Sequence, residues 1–170
     1  MNISIELTRD EATPALLALA RSCARPAKVL RAIGTAFATA AQDSFDNGAY
    51  RPKPWQATKT GHRILVNKGL LRRSIRVTSF SDSSVTIGTD RPYGLFHQFG
   101  TLGPYTIHAR YAKALAWPGA KHPVRSVVHP GLPARPFFPV DEGGRLVPLA
   151  AARMQQAAEA ALRTMVENRQ

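Results

Sequence analysis

The chain reads as an α+β domain: a small antiparallel β-sheet packed against a long helix in the N-terminal half and a second helix at the C-terminus. Three observations predict it. Val29, Ile33, Phe37 and Ala41 step four residues at a time, with Leu30 and Phe45 beside them, which is one face of a helix. Ile75 and Val77 alternate with Arg76 and Thr78, and Val85 to Thr89 returns after the turn chemistry of Ser81-Asp82-Ser83-Ser84, which is a β-hairpin. Pro148 then opens an alanine-rich segment that predicts a helix to about Glu167, with Met154, Ala157, Ala158, Ala161, Leu162, Met165 and Val166 on its apolar side.

At 170 residues the chain is expected to form a single domain, 1–170, and its 44% hydrophobic content can bury a core. Only 8% is aromatic, so Trp55, Trp117 and the seven phenylalanines are expected to act as anchors. The lone Cys23 provides neither an internal disulfide nor a metal framework and fits a reducing cytoplasm. The start, MNISIELTRDE, lacks the pattern of a signal peptide, and no apolar run approaches the ~20 residues that span a bilayer, so no membrane partner is expected. The net charge is +12, and all of it lies in residues 47–140, where fourteen Lys and Arg face only Asp82 and Asp90; the flanks balance at nine of each sign. A basic centre suits a polyanion or an acidic protein partner, or simply a solvated surface.

Taken in order, Ile3, Ile5 and Leu7 predict a short half-buried strand. Thr13-Pro14 starts a short helix that ends before Pro26, and the long helix follows from about Pro26 to Phe45, ended by Asn47-Gly48. Residues 47–63 are a basic loop in which Trp55 either stacks on a base or plugs the loop onto the core, the latter being preferred. Ile64-Leu65-Val66 is a short apolar run, and Gly69 to Ser74 makes a helical turn. The hairpin then comprises 74–80 and 85–89, with Ile75, Val77 and Ser79 turned inward. Asp90-Arg91-Pro92 turns the chain into a two-turn helix, Tyr93 to Phe99, stopped by Gly100, with Tyr93, Phe96 and Phe99 or Gly100 sharing a face. Tyr105 to Trp117 and Val124 to His129 read as extended, broken by Pro118-Gly119. His129 to Pro139 contains four further prolines besides Gly131, Phe137 and Phe138, making a rigid patch that is expected to meet the 86–103 stretch; Asp141 to Gly144 is a turn.

Catalytic chemistry finds little support. The chain has no Gly-rich phosphate loop, no His-Glu-x-x-His and no paired Cys-x-x-Cys, and His62, His97, His108, His122 and His129 match no metal spacing, so no enzyme, cofactor or metal is expected. Arg135, in an otherwise apolar patch, is expected to be at least partly buried and to pair with backbone carbonyls or with Asp43 or Asp46. Phe137 and Phe138 should point opposite ways, one meeting Tyr93, Phe96 or Phe99 in the core and the other covering one of the two main helices.

In order, Phe45-Asp-Asn-Gly, Trp55, Ile64-Leu-Val, Gly69-Leu-x-x-x-Ser74-Ile75, Ile87-Gly-Thr89, Tyr93-x-x-x-His97-Gln98-Phe99-Gly100 and Pro133-Ala-Arg135-Pro136-Phe137-Phe resemble the virion morphogenesis proteins of Mu-like phages, themselves similar to tail-completion proteins of other temperate tailed phages. The match covers about residues 29–168 and includes the close Asp141-Glu-Gly-Gly-Arg-Leu before the last helix. The chain departs from the pattern at Asn67-Lys68, where an acidic-Thr pair is common, and in its long 104–128 segment, which resembles the strand pair of related neck proteins.

The resemblance implies a non-enzymatic structural protein of the head–tail junction or tail end, a virion component assembled in the bacterial cytoplasm. Its expected partners are further copies of itself in a ring, six being one ring size, and other head, neck or tail proteins, with a weak DNA contact through its basic residues. It makes Trp55, Gly69, Gly88, Tyr93, His97, Gln98, Phe99, Gly100, Pro133, Arg135, Pro136 and Phe137 the structural and assembly motif; for such an assembly protein the loop 47–63 and the segment 104–128 are the expected extended contact arms. The alternative reading is a nucleic-acid-binding module, with Tyr50, Trp55, Tyr105, Tyr111 and Trp117 among the basic residues.

Overall fold

A computed structural model of the chain describes residues 13, 14, 16, 17, 20, 26–57 and 63–167. The strand expected at Ile3–Leu7 lies outside these residues; the described residues of the short first helix, Thr13, Pro14, Leu16, Leu17 and Ala20, are helical. The elements that follow are α1 (Ala27–Asp43), a 3-10 turn (Gly48–Tyr50), α2 (Leu70–Ser74), β1 (Arg76–Phe80), β2 (Val85–Gly88), α3 (Tyr93–Phe99), β3 (Tyr105–His108), β4 (Ser126–His129) and α4 (Pro148–Glu167). The fold is α+β, with the strands in two separate antiparallel hairpins rather than one sheet.

Helix α1 is the spine, and it buries two faces. Gly34, Ala38 and Ala41, continued by Phe45, face the first hairpin and a cluster of Trp55, Leu71, Ile75 and Phe137. Ala40, with Ile33, Ala36 and Phe37 around it, faces Tyr50 of the 3-10 turn and Val147, Ala150 and Met154 of the C-terminal region. Small residues on both faces let neighbours approach closely: Ala40 and Ala150 are fully buried where α1 and α4 pack, and Ala41 is fully buried on the other face. Gly34 permits the hairpin contact, since a Cβ there would lie 2.5 Å from Val85 Cγ2. At the helix end the Ser44 hydroxyl lies 2.7 Å from the Ala41 carbonyl and 2.8 Å from that of Phe137, so one proton is shared between two buried acceptors.

Hairpin β1–β2 pairs Val77 with Ile87, but the register shifts between Val77 and Ser79. That bulge breaks the alternation, and Ser79, expected inward, is exposed. Residue Ser74 also closes α2 instead of opening the strand. Hairpin β3–β4 pairs Tyr105 with His129 and Ile107 with Val127, and its main contacts are between its own strands. The expected extended run from Tyr105 to Trp117 is interrupted. Ala109 still bonds to Arg125, yet Leu115 already pairs with Val124, so residues 110–114 loop out of the ladder.

Candidate functional site: a clamped proline-rich strap beside an apolar groove

The Pro-rich segment lies along the C-terminal end of α3 as a strap, and most of its backbone amides have a named partner. The Leu132 amide donates to Thr101 Oγ1 at 2.8 Å, while the Leu132 carbonyl accepts from the Thr101 amide at 3.0 Å. The Arg135 amide donates to the His97 carbonyl at 2.7 Å. Gln98 Oε1 accepts from the amides of Phe137 and Phe138 at 3.0 and 3.1 Å. From the other side, Trp55 Nε1 donates to the Pro136 carbonyl at 2.8 Å and Ser44 to that of Phe137. Prolines 133, 136 and 139 have no amide to satisfy, so the segment can be buried without a sheet around it.

Two glycines make the approach possible. Gly100 ends α3 with φ +76°, and a Cβ there would sit 2.8 Å from the Leu132 carbonyl oxygen and 2.9 Å from the Ala134 amide nitrogen. Gly94 is the buried residue of α3; its Cα faces Leu71 Cδ1, Thr89 Cγ2 and the ring of Phe137. The core therefore meets α3 at a glycine.

This overturns one expectation. Tyr93, Phe96 and Phe99 do not receive Phe137 or Phe138; all three are exposed, Phe99 by 73%. Phe137, 1% exposed, packs against Phe45 at 5.6 Å between ring centroids, and Phe138 packs against Phe37 on α1 at 5.9 Å. The two rings also touch each other at 4.8 Å, so they do not point opposite ways; the strap is bent by its prolines rather than extended.

Arg135 is half-buried and its guanidinium donates to a backbone carbonyl, that of Gln56, through two 3.4 Å contacts. The carboxylate partners expected for it are taken. Asp43 pairs with Arg153 at 2.7 Å, and Asp46 pairs with Arg63 and with Arg72. Arg153 on α4, Arg72 on α2 and Arg63 in the segment before α2 thus occupy both carboxylates. Arg135 acts instead on His97, whose imidazole is held below its ordinary range first by burial and then by the Arg135 charge. His97 Nδ1 is buried and has no hydrogen-bond partner among the described residues.

Of the residues singled out by sequence, Trp55, His97, Gln98, Gly100, Arg135, Pro136 and Phe137 come together at the strap. Trp55 is 8% exposed, a core anchor capped by the Arg51 guanidinium 3.9 Å from its ring centre. Tyr93 is at the edge, with its ring 6.1 Å from that of His97, and Pro133 is exposed. Gly69, with φ +67°, starts α2, and Gly88 pairs with Arg76 in the hairpin; neither reaches the strap. Sequence reasoning passed over Ser44 and Arg51. Arg51 donates to the carbonyls of Ser44 and Phe45, the free acceptors that follow any helix end.

Outside the strap, a groove of about 1060 Å³ opens between α3 and residues 134–143, with Leu95, Phe99, Pro136, Phe138 and Val140 along it and Pro52 and Lys53 on its wall. Beyond Gly100 the second hairpin stands away from the body, with Tyr111 96% exposed. The 48–57 part of the basic loop instead lies against the body through Tyr50, Arg51 and Trp55. No described helix is long and apolar enough to cross a membrane, and no three metal-binding side chains cluster among the described residues.

The sequence pattern of the phage virion morphogenesis family matches residues 8–148, and the chain belongs to that family. Its role is therefore in phage virion assembly. No curated protein and no solved structure matches the chain significantly.

Proposed function

We propose that the protein is a non-enzymatic structural component of the virion, assembled in the host cytoplasm, that self-associates and joins other virion proteins at the head–tail junction or tail end. The observation that carries this reading is the distribution of apolar surface. The strap consumes Phe137, Phe138 and Trp55 in the core, yet Leu95, Phe96 and Phe99 on α3 and Tyr111 and Trp117 on the arm stay exposed. A rigid body with an apolar flank and a projecting hairpin suits assembly, because open hairpin edges and exposed aromatic groups are contact chemistry. Electron microscopy of particles made when the gene is disrupted tests it. Unjoined heads and tails, or tails with an incomplete end, are expected; particles of normal form and infectivity would refute the role.

A nucleic-acid-binding module is a second reading, favoured by the arm, where Arg110, Lys113, Lys121 and Arg125 accompany Tyr111 and Trp117 with no carboxylate. A salt titration separates the two. Tight binding to duplex or single-stranded DNA that falls steeply with salt favours the module; weak binding fits a basic virion surface.

A further inference from the structure

The groove and the arm are complementary in chemistry and lie on different parts of the same chain. The groove offers an apolar floor, with Leu95 60% and Phe99 73% exposed. Its charges are Lys53 and Arg91 against Asp90, Asp141 and Glu142, a negative balance on a chain of net charge +12. These charges partly neutralise one another: Lys53 lies 3.1 Å from Glu142, and Arg91 lies 3.3 Å from Asp90, which also has Arg76 at 3.6 Å. The Glu142 side chain is still 93% exposed. The arm, 104–128, has the opposite character. It carries Arg110, Lys113, Lys121 and Arg125 and no acid, and it exposes Tyr111 and Trp117. Tyr111 sits in the 110–114 loop that leaves the ladder, 96% exposed, with the Arg110 guanidinium 5.9 Å from its ring centre.

We propose that the arm of one copy docks in the groove of a second copy, with Tyr111 and Trp117 covering Leu95 and Phe99 and the arm cations facing the carboxylates of the groove rim. The proposal rests on the self-association reading above and specifies its geometry. The two surfaces differ, so the contact is heterologous: every copy offers one arm and one groove, and copies add head to tail until a ring closes. Aromatic anchors in an apolar seat with a charged rim are the ordinary anatomy of such an interface.

The experiment uses the full chain in three forms, wild type, an arm variant and a groove variant, with the two variants also mixed, followed by light scattering after size-exclusion chromatography over a range of concentrations. The arm variant is Tyr111→Ala with Trp117→Ala, and the groove variant is Leu95→Asp with Phe99→Asp. All four side chains are exposed, and unchanged melting confirms that each variant folds. The wild-type chain is expected to self-associate, and each variant to do so about thirtyfold or more weakly, the loss typical of an interface anchor. Mixing the two variants is expected to restore a 1:1 pair that grows no further, because one intact arm then meets one intact groove. A wild-type chain that stays monomeric overturns the proposal. So does wild-type assembly by either variant, or a mixture that remains monomeric, which would mark an arm-to-arm or groove-to-groove contact. If the arm variant assembles normally but loses DNA retention, the arm belongs to nucleic acid and the proposal also falls. None of these outcomes decides the virion role, which is read separately from particles lacking the gene.

Discussion

Gln98 holds the backbone of Phe137: its Oε1 accepts the Phe137 amide at 3.0 Å and, with the same oxygen, the next amide at 3.1 Å. One side chain thus replaces the strand that would otherwise satisfy the strap. Gln98→Ala should leave two part-buried donors without an acceptor, costing about 1–3 kcal/mol. Gln98→Glu keeps an acceptor at that position and should cost less. Thermal unfolding of both variants checks the order; equal melting of Gln98→Ala and wild type would show that the clamp is dispensable.

Gly34 invites the opposite of helix-propensity logic. Alanine in a helix interior ordinarily gains about 1 kcal/mol over glycine. Here the added methyl meets Val85 Cγ2 at 2.5 Å and Val77 Cγ2 at 3.3 Å, and branched side chains yield little. Gly34→Ala should therefore destabilise by about 1–3 kcal/mol through overpacking. Combining it with Val85→Ala should recover part of that loss in a double-mutant cycle. Strictly additive effects would show that the two positions do not collide.

Protonation of His97 should weaken the fold. Its pKa is lowered in the folded state, so near and below the usual imidazole pKa the unfolded chain binds more protons than the folded one. The associated stability is complete above that range and is lost as pH falls through it. His97→Gln should flatten stability against pH between about 7.5 and 5.5, a window centred on the imidazole range. Denaturation curves across that window test the sign.

Arg135→Ala should raise the His97 pKa toward its ordinary value, because the Arg135 charge is one of the two causes that lower it. Its own cost to stability should stay under about 1 kcal/mol: the bonds to Gln56 are long and exposed, and no carboxylate is left behind. Titration of the His97 ring by NMR, alongside a melt, reads both effects. An unmoved His97 would contradict the stated cause.

Removing the arm should leave the body intact. Tyr105 and His129 are cross-strand partners, so a two-residue turn can join them in place of residues 106–128. Because the arm packs mainly on itself, stability should change by no more than about 0.5 kcal/mol, as for other surface changes. A large fall in melting temperature would mean that the arm supports the core.

Local chemistry was legible in the sequence. The four-residue stepping of α1, Pro148 at the start of α4, the hairpin around Ser81–Ser84, Gly100 as the stop of α3 and the Asp141 turn all follow from interactions within a few residues, and all stand in the structure. That the strap meets α3 was also legible, since a proline-rich apolar segment must find partners beyond itself. Which partners it found was decided by tertiary structure. Periodicity places Tyr93, Phe96 and Phe99 on one face but cannot say that Gly94 is the residue turned to the core, because a glycine carries no hydropathy signal. Arg135 loses Asp43 and Asp46 to Arg153, Arg63 and Arg72 because salt bridges form with whichever cation the helix packing brings nearest. The bulges at Thr78 and at 110–114 likewise depend on the facing strand, which a pattern along one strand does not contain.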